Sequence, residues 1–200
     1  MTDLVIGADG SARCAWGGST AEYIAYHDGE WGREVRGDDA LFERLTLEAF
    51  QSGLSWLTIL RKRQAFRRAF DGFSIEAVAA YTEVDEARLL LDAGIVRNRL
   101  KISAALHNAR VAAVLPGGLA DLLWSFAPPP RPRPTSLGQV PAVTPESTAM
   151  AKALKRHGFR FVGPTTAYAL MQATGMVDDH LVGCHVAGAA PTGSPAVPGA

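Results

Sequence analysis

The chain has 200 residues, 48% of them hydrophobic, with 20 basic and 20 acidic side chains and a formal net charge of zero. That length and apolar content suit one globular domain with a proper core, and they exclude a polar disordered chain and a protein drawn to polyanions by bulk charge alone. No apolar run approaches the roughly 18 residues of a membrane span, and the acidic, glycine-containing "MTDLVIGADGSA" is neither a signal nor a transit peptide, so a cytoplasmic protein without a membrane partner is expected.

The charge balance hides a gradient. Residues 1–50 carry ten acids against four bases, whereas "RKRQAFRR" (61–68), "VRNRLK" (96–101) and Lys152, Lys155, Arg156 and Arg160 reverse the sign downstream. Such asymmetry fits a side that faces DNA, and a solvated helix face accounts for any single cluster equally well.

In chain order, residues 1–12 read as a flexible extension ahead of a single helical domain over 13–187. "CAWGGSTAEYIAYH" supplies Cys14 and His27, with Tyr23 and Tyr26 on the same helical face as His27. "DDALFERLTLEAFQSG" (38–53) has apolar residues at 41, 42, 45 and 49, aspartates in front and glycine behind, the pattern of a helix. Glu48 lies about 20° from Leu41 and about 60° from Leu45 on that helix, with Glu43 on the opposite side, which puts Glu48 within the apolar face. A buried carboxylate needs a partner. "QSGLSW" (51–56) is then a short apolar turn in which Gly53 and Leu54 could wedge into distorted DNA, although loop packing is an equally fair account.

"SIEAVAAY", "DEARLLLDAG" and "RLKISAALHNARVAAV" continue with helical period, followed by a proline-rich crossing loop, "APPPRPRPTSLGQVPAV" (127–143). "TPESTAMAKALKRHG" (144–158) and "PTTAYALMQATG" (164–175) both open with proline and close with glycine, as helices do. Strand-length alternation is essentially absent, so the fold class is all-α. Between the last two helices the Val162-Gly163 step precedes Pro164, so backbone N–H groups near Gly163 could face an anion at a helix N-terminus. Helix-hairpin-helix DNA-binding elements use such a turn, here over about 148–174, to hold a phosphate; a short apolar glycine turn is also common in ordinary helical pairs, and the basic flank adds weight to the DNA reading. Residues 188–200 have almost nothing to bury and read as a disordered tail.

The remaining cysteine lies in "DDHLVGCH" (178–185), with His180 and Cys184 at i, i+4, so that a helical turn would present both to one metal. In a reducing compartment two cysteines 170 positions apart are inert thiols or metal ligands. Cys14, His27, His180 and Cys184 together make a Cys2His2 set for one structural Zn2+ that would clip the chain ends together. His185 is the competing ligand.

The runs "CAW", "YIAYHDGEWG", "DDALFERLTLEAFQSGLSWLTILRKR", "DAGIVRNRLKI", "LLWSF" and "KALKRHGFRFVGPTTAYALMQATGMVDDHLVGC" closely resemble the 3-methyladenine DNA glycosylase I family, in order and at compatible spacing from about Arg13 to about Val186. The resemblance implies an all-helical enzyme of the helix-hairpin-helix superfamily. It would release 3-methyladenine from double-stranded alkylated DNA, with zinc on the four residues named above; a monomer is expected. It also implies Glu48 as the catalytic, base-contacting glutamate and raises Tyr26 and Trp56, beside Tyr23, as base-binding walls, with Trp31 a weaker candidate. Gly53, Leu54, Gly163 and Thr165 would meet DNA. Thr165 stands where bifunctional relatives carry a Schiff-base lysine, so a monofunctional enzyme is inferred. Phe161 stands where many superfamily members place the first hairpin glycine. Asp178 aligns roughly with the superfamily's catalytic aspartate, but a structural role as a helix cap or as acceptor from His180 is slightly favoured. A zinc-stabilised helical module that binds nucleic acid without cutting a bond is the alternative function, and a carboxylate beside an aromatic pocket would decide against it.

Overall fold

Every residue from Leu41 to Phe50 is buried, so the helix over Asp38–Gln51 is the central element of the molecule. The computed structural model describes residues 3–186; the tail expected at 188–200 lies outside the described residues. In chain order the helices are α1 (Ala21–Gly29), α2 (Asp38–Gln51), α3 (Trp56–Ala69), α4 (Ile75–Ala79), α5 (Glu83–Leu91), α6 (Arg99–Ala113), α7 (Gly118–Trp124), α8 (Pro145–Arg156) and α9 (Pro164–Ala173). Helices α3, α6, α7 and α9 pack around α2, α4 and α5 lie on α6, and α8 lies on α9. The core they enclose includes Phe42, Phe50, Phe66, Phe70 and Phe73, all essentially inaccessible. Helix starts follow local chemistry: Thr20, Ser55, Asn98 and Thr144 each accept a hydrogen bond from a first-turn backbone N–H, and Pro145 and Pro164 open α8 and α9.

Two expectations change at the N-terminus. Strands β1 (Leu4–Ile6) and β2 (Ala12–Cys14) pair antiparallel, Leu4 opposite Cys14, so the fold is mostly helical with one small hairpin. Strands of three residues are too short to show a two-residue period, which is why the sequence hid them. Nor is the segment over 1–12 a free extension where it is described: Asp3 accepts from the backbone of Ala15 and of Leu137, at 2.9 and 3.0 Å. Leu4 packs against Cys14 and Leu181, and the hairpin thereby delivers Cys14 to the other end of the chain.

The basic clusters separate into internal and external sets. In "RKRQAFRR", Arg63 is buried and donates to Glu43 and Glu30, both at 2.7 Å, Arg67 joins Glu43, Arg61 pairs with Glu22, and Lys62 donates to the carbonyls of Ala93 and Gly94. Arg63 and Arg67 thus brace α3 against neighbouring acids, whereas Arg61 and Arg68 of the same run stay exposed. Lys101 donates to the carbonyls of Phe50 and Ser52 at the end of α2. Lys152, Lys155, Arg156 and Arg160 are exposed, and no carboxylate among the described residues pairs with them. No described helix is long and apolar enough to cross a membrane.

Past the end of α9 the chain crosses the segment that leads into α2. Val35 N donates to Thr174 O, and Gly175 has φ +74°, with space for a Cβ only 2.8 Å from the backbone of Arg33 and Glu34. Gly175→Ala should therefore lower the melting temperature, with a destabilisation of about 2 kcal/mol or more from the left-handed backbone and the backbone clash together; thermal unfolding by circular dichroism checks this.

Candidate active site

An open cavity of about 420 Å³ lies between α1, α2, α3, α9 and the proline-rich crossing loop. Its walls are aromatic. Tyr23 and Tyr26 come from α1, Trp56 from the first turn of α3, Trp31 from the turn after α1, and Trp16 from a short 3-10 turn after Cys14. The rings interlock edge to face, Trp16 at 4.9 Å from Trp31 and 5.8 Å from Tyr23, with Trp56 tilted at 5.4 Å from Tyr26. The Tyr23 hydroxyl accepts from Leu57 N at 3.1 Å and so ties α1 to the start of α3. The buried Trp56 Nε1 has no hydrogen-bond partner among the described residues.

Glu48 lines the same cavity and is 6% exposed. Among the described residues nothing donates a hydrogen bond to its carboxylate, and burial pushes its pKa up from 4.5 to about 8 against the opposing pull of Arg44, one turn away on α2. Glu43 provides the contrast. It is buried on the other side of the same helix but is paired with Arg63 and Arg67. Glu48 alone faces an apolar, aromatic space without a counter-charge in contact. Burial, together with this carboxylate, likewise pushes the Tyr26 phenol above its ordinary range.

Gln51, Gln172 and Asp179 add polar edges to the cavity, and Leu137 and Val140 of the crossing loop close one side. Asp179 is buried and receives hydrogen bonds from Tyr168, from Gln172 at 2.8 Å and from Arg131 at 2.6 Å. Arg131 belongs to the crossing loop, so the ion pair latches that loop beside the cavity.

Beyond the aromatic wall the chain ends meet. The ligand atoms of Cys14, His27 and Cys184 all lie within 4.8 Å of one another and all three residues are buried. His180 stands just outside this set, its ring 5.1 Å from that of His27 and its buried Nε2 without a partner among the described residues. His27 and His180 each turn Nδ1 to a carboxylate at 2.8 Å, Asp28 and Asp178 respectively, which leaves Nε2 for a metal. Burial pushes the Cys14 thiol up to about 12 and the His27 imidazole down. The orphaned nitrogen, the thiols and the carboxylate-held imidazoles suit a four-coordinate thiophilic cation. His185 does not enter the set; it lies 3.1 Å from Asp28 and supports it.

One local expectation fails here. His180 and Cys184 are not on a helical turn. Asp178 Oδ1 accepts from the His180 backbone N–H at 3.2 Å, and Gly183 takes φ +91°, so the segment is a loop that doubles back to Cys184. Asp178 does not line the cavity: against the cost of burial, hydrogen bonds from His180 and Arg133 hold its pKa down at about 2.

A second groove, about 350 Å³, continues from Glu48 and Gln51 to Gly53, Leu54, Thr165 and Thr166. It gathers the turn after α2 and the first turn of α9, three of the four residues singled out for DNA. Leu54 is 40% exposed. Gly163, the fourth, caps α9 at the exposed hairpin with φ −93°, and a Cβ there would meet nothing within 4 Å.

The sequence profile of the methyladenine glycosylase family matches residues 16–187. The chain belongs to the methyladenine glycosylase family. It is 45% identical over 177 residues to DNA-3-methyladenine glycosylase 1 of Escherichia coli K12, covering 86% of this chain and 95% of that protein. It is 40% identical to DNA-3-methyladenine glycosylase of Haemophilus influenzae, covering 87% and 97%. A crystal structure of 3-methyladenine DNA glycosylase I superposes with a TM-score of 0.83 at 45% identity, covering 86% of this chain and 98% of that one. The Staphylococcus aureus enzyme, whose structure concerns recognition of 3-methyladenine, gives a TM-score of 0.83 at 35% identity, covering 87% and 95%.

In this member of the methyladenine glycosylase family the cavity brings together Tyr23, Tyr26, Glu48 and Trp56, the pocket residues named from sequence, and includes Trp31. Trp16, Asp179 and Gln172 were missed. Trp16 sits in "CAW" two places after the first cysteine, and its proximity to that thiol was the one available signal.

The raised pKa of Glu48 fixes a pH dependence. Below pH 4.5 the carboxyl is protonated in both the folded and the unfolded chain, and it adds no penalty. Between 4.5 and about 8 the unfolded chain ionises while the folded one keeps its proton, so stability falls; above about 8 the penalty is constant. The melting temperature of Glu48→Gln, measured from pH 4 to 9, should therefore gain on that of the parent from about pH 4.5 to 8 and level off above.

Proposed function

We infer that this protein is a monofunctional DNA-3-methyladenine glycosylase, which flips an alkylated adenine out of duplex DNA and hydrolyses its N-glycosyl bond. Methylation at N3 makes adenine cationic, so the glycosidic bond is already weakened and the leaving group needs no added proton. The enzyme has mainly to extract the nucleotide and hold it. The observation that carries the reading is the unpartnered Glu48 carboxylate in the aromatic cavity.

A cationic base stacked between electron-rich rings gains cation–π attraction from Tyr26, Trp56 and Trp16, and its N6–H donors give Glu48 the partner it lacks. Entry of the cation draws Glu48 into its ionised form and releases the proton that burial retained. Neutral adenine offers no such compensation. A purely nucleic-acid-binding module has no use for this carboxylate, which sets that alternative aside.

The groove through Gly53, Leu54 and Thr165 fits the role of a wedge that fills the space left by the flipped nucleotide, while the hairpin at Gly163 holds the backbone at a phosphate. Thr165 has no amine, so no Schiff base forms and the abasic strand stays intact. Cys14, His27, His180 and Cys184 would hold one Zn2+, which supplies cross-linking of the chain ends. These four donors complete a tetrahedral shell and leave no position for substrate. Asp178, bonded to His180, positions that ligand. The proposed substrate complex is one protein monomer on an alkylated duplex.

Two outcomes follow. Elemental analysis of purified protein should give about one zinc per chain, and Cys14→Ser should lower both zinc content and melting temperature; metal-free protein with unchanged melting contradicts the clip. On methylated duplex DNA, chromatography should show free 3-methyladenine, no adenine and no strand nicking. Glu48→Gln should slow single-turnover release roughly 30-fold, equivalent to about 2 kcal/mol, the scale for a hydrogen bond to a charged group. Asp178→Asn, with zinc content checked, should cost less, and the reverse ranking names the wrong carboxylate.

A further inference from the structure

Three non-glycine residues among those described have left-handed backbone: Asp71 (φ +47°), Phe73 (φ +63°) and Phe161 (φ +58°). This conformation is costly for a bulky aromatic and persists only where something compensates for it. Two of the three have an evident reason. The Asp71 carboxylate accepts from the Tyr81 hydroxyl at 2.9 Å, and Phe73 is fully buried, stacked on Phe70 at 5.4 Å. Phe161 has none of this. It is 45% exposed at the apex of the hairpin between α8 and α9, and it belongs to none of the apolar clusters of the fold. Glycine would adopt the same backbone without strain.

The backbone around Phe161 is nonetheless held on purpose-built contacts from α6. The buried Asn108 donates Nδ2–H to Arg160 O at 3.0 Å and accepts from Arg160 N at 2.8 Å, gripping the residue before Phe161 on both sides. His107 Nε2 donates to Gly158 O at 2.9 Å. The clamp therefore fixes the backbone beside an exposed aromatic residue, on a hairpin that follows the exposed Lys152, Lys155 and Arg156 of α8 and carries the exposed Arg160, two residues before the open backbone of Gly163.

We propose that Phe161 is a DNA-contacting residue: the hairpin presents its ring to the deoxyribose face of the duplex backbone, beside the phosphate that the Gly163 turn approaches. The inference rests on the reading of this hairpin as a DNA-binding element. The basic residues of α8 and the hairpin supply attraction that is screened by salt, whereas an aromatic ring against sugar carbons supplies an apolar contact that is not. The strained aromatic is kept, in place of a glycine, for that contact.

The test uses the full zinc-loaded chain, thermal unfolding, and fluorescence anisotropy on a labelled duplex across a salt series, with Phe161→Gly, Phe161→Asn, Lys155→Ala and Gly163→Val. Both Phe161 substitutions should melt at or above the parent, since glycine and asparagine tolerate positive φ. Both should bind about tenfold more weakly, the equivalent of burying the exposed part of one aromatic side chain, with the slope of log K against log salt unchanged. Lys155→Ala should instead reduce that slope by about one. Melting well below the parent in both Phe161 variants would make the residue structural and overturn the inference, as would unaltered affinity or a salt slope that falls with it. If Phe161→Gly binds normally while Lys155→Ala and Gly163→Val weaken binding, the inference falls and the hairpin reading stands. If all three bind as the parent does, both fall.

Discussion

A carboxyl group that is buried without a hydrogen-bond donor among the described residues is the constraint on which the rest of this structure turns. Glu48 sits on a helix that is enclosed over its whole middle, where a carboxylate is unfavourable unless it finds a cation or stays protonated. The surrounding residues do not relieve it. Arg44 is close enough to oppose the shift, but its Nη2 is committed to Glu30 at 2.7 Å and its Nη1 has no partner among the described residues. Arg63 is shared between Glu30 and Glu43. Arg44 and Arg63 are thus engaged by Glu30 and Glu43, and of the two carboxylates that line the cavity Asp179 is paired with Arg131 while Glu48 has no ion-pair partner among the described residues.

The two ends of the chain are part of the same arrangement. Trp16 and Trp31, which wall the cavity, also touch the buried histidines: Trp16 lies 5.2 Å from His27, and Trp31 lies 4.6 Å from His180 and stacks on His27 at 6.3 Å. The hairpin that carries Cys14 and the loop that carries His180 and Cys184 therefore back the aromatic wall directly. On the proposed assignment of zinc to these side chains, cross-linking the termini stiffens the pocket as well as the fold.

How much of this was legible in the sequence differs from residue to residue, for physical reasons. Glu48 could be placed in an apolar face because helical period is a local property. That it lacks a partner, while Glu43 on the same helix has two, depends on arginines 20 and 24 residues further on and could not be read from α2 itself. The gathering of Cys14, His27 and Cys184 was foreseeable from the scarcity of thiols, but the loop geometry at His180 was not, because the Asp178 side chain competes with helical hydrogen bonding. The basic run at 61–68 shows the limit of charge counting: composition does not reveal which side of a helix is buried. Asp179 was overshadowed by its neighbour Asp178, and only the latch from Arg131, in a proline-rich loop with no periodicity, reveals its place beside the cavity. The positive φ of Phe161 had a trace in the sequence, since a phenylalanine stood where related hairpins carry glycine.

The central claim is that Glu48 awaits a cation. It is tested most directly by a titration of the Glu48 carboxyl carbon by 13C nuclear magnetic resonance, in the protein alone and in the presence of the permanently cationic 3,9-dimethyladeninium ion. The account predicts a midpoint near pH 8 in the free protein and a shift to below neutrality when the cation is bound. A midpoint near the ordinary 4.5 in the free protein, or a raised midpoint that the bound cation leaves in place, would contradict it.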